Sequence, residues 1–263
     1  ITTPIVIDGV LDEPAWQEAE PITKFLRFQP TAGGEPDGTT TIRLLQDEQN
    51  PHISADIAEL SYTPQAHISP REDINADDQI GIYLDPIGDG RSGYIFYISA
   101  LGIQQDFRYS NEDWLPEWAT VFASEGVVRD DGYTIEMALP FRSIRYPTPD
   151  ENPQTWRVLL IRKIPHEGAK YSFPERDPGF GRAFLETGPL TGVRPPPNNA
   201  NRSFLPVLVL RHTQNRDDGN TLQWTGPDPW MDSVRPGLDF KQGITPDLGA
   251  ALTINPDFSQ IEG

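Results

Sequence analysis

The sequence predicts an all-β fold, an antiparallel β-sandwich of two stacked sheets, on three observations. Short runs rich in β-branched and aromatic residues recur about every dozen residues, separated by Gly, Pro, Asp and Asn. Between Tyr133 and Leu139, the residues Tyr133, Ile135, Met137 and Leu139 alternate with Thr134, Glu136 and Ala138, the period of a strand with one buried face. Helical patterning is confined to one brief segment.

In chain order, Ile5-Val6-Ile7 reads as a short strand ended by Asp8-Gly9. Leu11–Trp16 reads as a brief helix, with Asp12 as N-cap and Pro14 in its first turn. Thr40–Leu45 and His52–Ala58 make a hairpin around Gln46–Pro51. Residues 80–85 and 94–99 make the next, and Ile103–Tyr109 continues the meander. Gly88, Gly90 and Gly93 in the intervening turn spell G-x-G-x-x-G. A dinucleotide loop must open a helix, and a strand follows here, so these glycines read as turn residues. Phe122–Arg129 and Tyr133–Leu139 flank Asp130-Asp131-Gly132 as a further hairpin. Pro140–Ile144 reads as a helical turn. Thr155–Lys163 is apolar on both faces around Val158–Ile161, which places it centrally in a sheet.

The texture then changes. Arg194-Pro195-Pro196-Pro197-Asn198-Asn199 reads as a semi-rigid linker, giving a sandwich over 1–193, a linker over 194–203 and a second unit over 204–263. Charge supports the division: residues 191–263 hold six Lys/Arg against eight Asp/Glu, so −16 of the net −18 falls on residues 1–190. In the second unit Phe204–His212 and Thr221–Trp224 are strand-like, and Gly237–Gly243 with Leu248–Ile254 form a hairpin. The strand-and-turn pattern running to Gly263 suggests that more protein follows.

The acidic balance, with Lys24, Lys163, Lys170 and Lys241 as the only lysines, argues against a nucleic-acid partner, which needs a basic footprint. Absence of cysteine excludes disulfides, thiol nucleophiles and Cys-ligated zinc. No run approaches the ~18 apolar residues of a membrane helix. Neither G-x-S-x-G nor H-E-x-x-H occurs, and His52, His67, His166 and His212 are scattered, so catalysis is not expected.

Binding candidates are clearer. Trp114 and Trp118 flank Leu115-Pro116-Glu117 just after Asn111 and Glu112. Flat indoles suit the C–H faces of sugars, and amides or carboxylates suit their hydroxyls. Asp73, Asp77, Asp78, Asp85 and Asp89 crowd one hairpin and its approach, a supply of oxygens suited to calcium.

Three segments together, Ile7–Trp16, Asp77–Asp85 and Gly132–Phe141, resemble the family 9 carbohydrate-binding module. More narrowly, Pro140–Pro147, Trp156 with Arg162-Lys163-Ile164-Pro165, and Asn255-Pro256-Asp257-Phe258-Ser259-Gln260-Ile261-Glu262 resemble a group of bacterial envelope proteins in which such a module precedes an outer-membrane β-barrel. The resemblance implies a jelly-roll, immunoglobulin-like sandwich, followed by a hairpin segment leading into a barrel. It also implies a non-catalytic role in binding carbohydrate or glycan, calcium bracing the loops, and an outer-membrane-associated location on either face. In the sugar-binding members two aromatic rings clamp a terminal sugar, and an acidic residue stands in the strand that here reads Ile80-Gly81-Ile82. An alternative is a structural domain that docks on its own barrel or on another envelope protein. A minor alternative is a haem-binding electron carrier, since some sandwiches of similar build hold haem between a Met and a His or Lys. Met137 is the candidate ligand, although its inward-looking face reads as core filling.

Overall fold

The computed structural model describes residues 1, 3–58, 60–110, 113–116, 118–179, 181–197, 202–210, 234–243 and 249–254. Two compact units divide the chain, Ile1–Pro197 and Asn198–Gly263.

The first unit opens with a short helix, α1 (Pro14–Glu18), then β1 (Leu26–Gln29), β2 (Thr39–Gln46), β3 (Pro51–Ala58), β4 (Gln79–Asp85), β5 (Ser92–Ser99), β6 (Gln104–Ser110) and β7 (Asp113–Leu115). It continues with β8 (Ala123–Arg129), β9 (Gly132–Ala138), β10 (Gln154–Ile164), β11 (Ala169–Phe173) and β12 (Gly188–Val193). Two antiparallel sheets result. The smaller has the order β2-β3-β9-β8; the larger has the order β1-β11-β10-β4-β5-β6-β7, with β12 also paired to β10. Their facing sides interleave Ile42, Ile57, Ile135 and Met137 with Ile82, Phe96, Val158 and Leu160 as one buried core. Each such side chain contributes about 1.5–3 kcal/mol by leaving water. The expected sandwich and its three hairpins are therefore present, and the glycine-rich loop joins β4 to β5 rather than a strand to a helix.

β10 lies in the middle of the larger sheet, as its apolar run predicts. Its residues Arg157–Lys163 pair with Asp85–Gln79 of β4, and its other edge is shared between β11 and β12.

Three expectations are corrected. Ile5–Ile7 is not a strand. The Asp8 and Gly9 N–H groups instead donate to Glu136 Oε2 at 3.0 and 2.9 Å, and Trp16 Nε1 donates to Glu136 Oε1 at 2.9 Å. α1 is capped by Glu13 rather than Asp12, without a side-chain cap bond. β9 is buried on both faces, not one, because residues 8–16 lie over its outward side, where Thr134 Oγ1 also donates to the Gly9 carbonyl at 2.7 Å. Gly9 is required there: its φ is +81°, and a Cβ would stand 2.9 Å from Val127 Cγ2.

In the second unit β13 (Arg202–Leu210), β14 (Val234–Gly243) and β15 (Gly249–Ile254) form an antiparallel meander. The two expected strands are present as the antiparallel pair β14 and β15, and the turn at Ile244–Asp247 lies outside the described residues. The expected strand at Thr221–Trp224 and the Asn255–Glu262 motif lie outside the described residues. Among the described residues no helix is long and apolar enough to cross a membrane.

Two predictions follow from this architecture. Glu136→Ala leaves three donors without their acceptor and is expected to lower stability by about 3 kcal/mol, with Glu136→Gln losing less. Urea unfolding midpoints check this; equal losses in both variants would show that packing, not the acceptor, matters. In the β2–β3 turn, burial raises the Asp47 pKa, but hydrogen bonds from His52 and from the Gln49 and Asn50 N–H groups outweigh it and hold the carboxyl at about 2. A depressed pKa means stability present above the ordinary value of 3.8 and lost as pH falls toward about 2. Acid unfolding of Asp47→Asn should be flatter than wild type across that window.

Candidate functional site

The larger sheet is apolar on its outward face as well. Alternate residues of its strands, Tyr83, Ile95, Tyr97, Tyr109, Leu159 and Ile161, pack there with Phe28, Ile74 and Phe184 as a second buried cluster. Strand alternation forces this arrangement: β4, β5 and the Val158–Ile161 run of β10 are apolar at nearly every position, so both faces demand cover. A 3-10 turn at Ala183–Glu186 supplies part of that cover through Phe184, which stacks on Tyr109 with centroids 4.6 Å apart. Tyr83 and Tyr97 share a hydroxyl hydrogen bond of 2.7 Å, and burial raises both phenol pKa values.

Trp114 stands at the rim of this cluster. It lies on a short edge strand, β7, and pairs in register with Tyr109. Its indole is 46% exposed and meets Phe107, Tyr83 and Tyr109 edge-on, with centroids 5.5, 6.1 and 6.4 Å away. Three rings thus fix the plane of one exposed indole, a rigid apolar platform.

Trp118 is placed elsewhere. It packs against Tyr94 and Phe96, centroids 5.1 and 6.3 Å away, and joins the core between the sheets. Tyr94 and Phe96 face inward while Tyr83 and Tyr109 face outward, so the chain passes round the edge strand between the two tryptophans. Trp114 and Trp118 therefore lie against opposite faces of one sheet and do not form a clamp. Asn111 and Glu112 lie outside the described residues.

Gly81 explains the missing acidic residue. A Cβ there would fall 2.5 Å from Cε1 of Tyr97, so the Tyr97 ring fills the space in which an acidic side chain would stand. Sequence reasoning missed Tyr83, Tyr97 and Phe184. The only signal available, aromatic residues in apolar strands, does not say which face each one takes.

The five aspartates are not brought together. Asp77 and Asp78 precede β4 and Asp85 ends it, which separates them by about 20 Å of extended chain. Asp78 accepts from the Tyr62 hydroxyl and the Gln65 N–H, both at 2.9 Å. Asp85 accepts from the N–H groups of Ile87, Gly88 and Gly90 at 3.1, 2.6 and 2.9 Å. Asp89 likewise accepts from the Arg91 and Ser92 N–H groups, while Asp73 is exposed. Asp77 is paired with His67 Nδ1 at 2.6 Å. These carboxylates organise turns, and among the described residues no three His, Asp or Glu side chains are grouped to hold a metal ion. The set does not fit calcium.

Haem fares no better. Met137 lines an apolar cavity whose described lining contains neither His nor Lys. His52 Nε2 is paired with Asp47 at 2.8 Å, and the His166 ring lies 4.2 Å from that of Tyr62. His212 lies outside the described residues.

Comparison with known proteins agrees with the sandwich. Residues 7–156 match the family described as carbohydrate family 9 binding domain-like, and the chain belongs to this family, one of non-catalytic binding domains. A family 9 carbohydrate-binding module from Caldicellulosiruptor kristjanssonii, solved in complex with glucose, is 13% identical with a TM-score of 0.53, covering 76% of this chain and 96% of that one. A structure of a family 9 module from the same organism in complex with cellotriose is 14% identical with a TM-score of 0.52, covering 75% and 93%. At these identities the likeness concerns the fold. No curated protein matches the chain.

Asp85→Ala frees three backbone donors of the β4–β5 loop and should cost about 1–3 kcal/mol. Thermal melts check this.

Proposed function

We propose that residues 1–193 form a non-catalytic carbohydrate-binding module in which Trp114 provides the sugar-stacking surface. The observation that carries this reading is the exposed indole held edge-on by Tyr83, Phe107 and Tyr109. Membership of the family and the sugars held by the two similar modules support the same reading. One supported ring, with no facing ring among the described residues, suits the flat side of a saccharide chain better than a terminal sugar gripped on both sides.

We further propose that the module belongs to a bacterial outer-membrane-associated protein, ahead of a membrane barrel. β13 and β14, of 9 and 10 residues, have the length of barrel strands, about 9–11 residues. In register, Leu238 faces Ile254 and Phe240 faces Leu252, and Leu252 and Ile254 are 56% and 54% exposed. An apolar row on one side of consecutive antiparallel strands suits a lipid-facing surface.

Titration of the protein against a panel of glucans and other glycans, with and without calcium, tests the first reading. Trp114→Ala is expected to weaken any binding at least about tenfold, and Trp118→Ala to act on stability instead. Silence across the panel favours the docking alternative. Membrane fractionation of the full-length protein in its host tests the second.

A further inference from the structure

Between the two sheets, at the end where β10 begins, the core does not close. A cavity of about 290 Å³ remains, walled by Leu44, Ile53, Leu84, Phe96, Met137 and Trp156. Interiors normally leave few voids larger than a water molecule, so a gap of this size is outside ordinary packing. The cavity opens to the surface past Gln46 and Thr191, but its inner walls are apolar and offer water few polar partners. The one polar ring group beside it, the Trp156 indole N–H, is already used: Nε1 donates to Gln154 Oε1 at 2.8 Å.

The mouth is also defined. It lies between β2 and β12, the edge strand of the smaller sheet and a strand at the edge of the larger. β12 reaches β10 through a register break between Gln154 and Trp156, and Gly192 there has φ +83°. The Gln46 side chain spans the two strands. Its Nε2 donates to the Gly192 carbonyl at 2.8 Å, and its Oε1 accepts from the Arg194 N–H at 3.0 Å. Both polar atoms of that amide are therefore engaged; Ile1 also lines the cavity, and its N-terminal ammonium is engaged by the Gln46 carbonyl at 2.7 Å.

We propose that this cavity is a binding site for one uncharged hydrocarbon ligand, entered past Gln46 and separate from the saccharide surface at Trp114. Apolar cavities of roughly 150 Å³ take up benzene, so this one suits about twice that bulk, a bicyclic ring or a medium-length acyl chain. The two strands that meet at the mouth are held by one side chain, which makes Gln46 the group that sets how fast such a ligand enters and leaves.

Fluorescence of N-phenyl-1-naphthylamine with the full chain tests the site, with stoichiometry from native mass spectrometry. The expected result is saturable 1:1 binding, a raised melting temperature, and displacement by naphthalene, by n-decanol or by both; which of them displaces the probe separates ring from chain. Leu44→Trp and Leu190→Phe fill the cavity from two different walls, and each should abolish binding while retaining a cooperative melt. Gln46→Ala should accelerate binding and release, and Trp114→Ala should leave the probe signal unchanged. No saturable binding, or binding that survives in a folded filling variant, would overturn the proposal. Because two walls are probed, one variant that fails to fold leaves the other to decide.

Discussion

A sheet that is apolar on both faces is the constraint from which most of this molecule follows. β4, β5 and β10 offer apolar side chains inward to the smaller sheet and outward to solvent. Burying only the inner row would leave Tyr83, Ile95, Tyr97, Leu159 and Ile161 in water, an exposed apolar patch of a kind that soluble domains rarely keep. The fold answers with connections rather than a third sheet. Ile74 before β4 and Phe184 of the 3-10 turn are drawn across the outer face, where Phe28 of the edge strand β1 joins them, and β7 brings Trp114 to its margin. Cover is complete over Tyr83 and Tyr97 and incomplete over Trp114. The exposed ring is thus what remains when loops, each fixed to its own strand, do the covering.

This also explains how the sequence could be read in part. The hairpins were legible because turn chemistry and alternation are local: Asp130-Asp131-Gly132 between two strands needs no distant partner. β10 was legible as a central strand because both of its faces are apolar. β1, β11 and β12 were missed because each is short and owes its place to pairing with another edge, as Leu26 opposite Ser172 and Val158 opposite Gly188 show. The helix cap at Asp12 failed because Glu136, more than a hundred residues away, fixes the backbone just before it. Site residues were harder still. Trp114 and Trp118 look equivalent in sequence, four positions apart, and only the path of the chain round β7 puts one outside and one in the core. The aspartates look like a cluster because β4 is short in sequence, yet it is long in space.

The two ends of the sandwich solve the same packing problem in opposite ways. β10 runs from Trp156 to Arg162 with alternate side chains directed into the space between the sheets. At the Arg162 end that space is filled by a buried polar network. Arg162 Nη1 donates to the Asp37 carbonyl at 3.0 Å and to Thr40 Oγ1 at 2.8 Å, and the Tyr62 hydroxyl donates to Asp78 at 2.9 Å. Burial raises the Asp78 pKa, opposed by the Gln65 N–H, Tyr62 and the nearby guanidinium. Such a network is costly to desolvate and is tolerated only when its members find partners.

At the Trp156 end the same sheets carry Leu44, Leu84 and Met137, which cannot reach across the gap and have no polar groups with which to hold water. Stability alone would favour larger side chains there, since residual cavity volume costs on the order of 20 cal/mol per Å³. A chain that packs Arg162 so tightly a few residues further along β10 is not short of means to fill space. The contrast argues that the void belongs to what the module does and not to how it folds, whereas the saccharide surface belongs to the outer face. Both chemistries proposed for this chain are then non-covalent, and both arise where the two-sided sheet is left incompletely covered: at one rim outside, and at one end within.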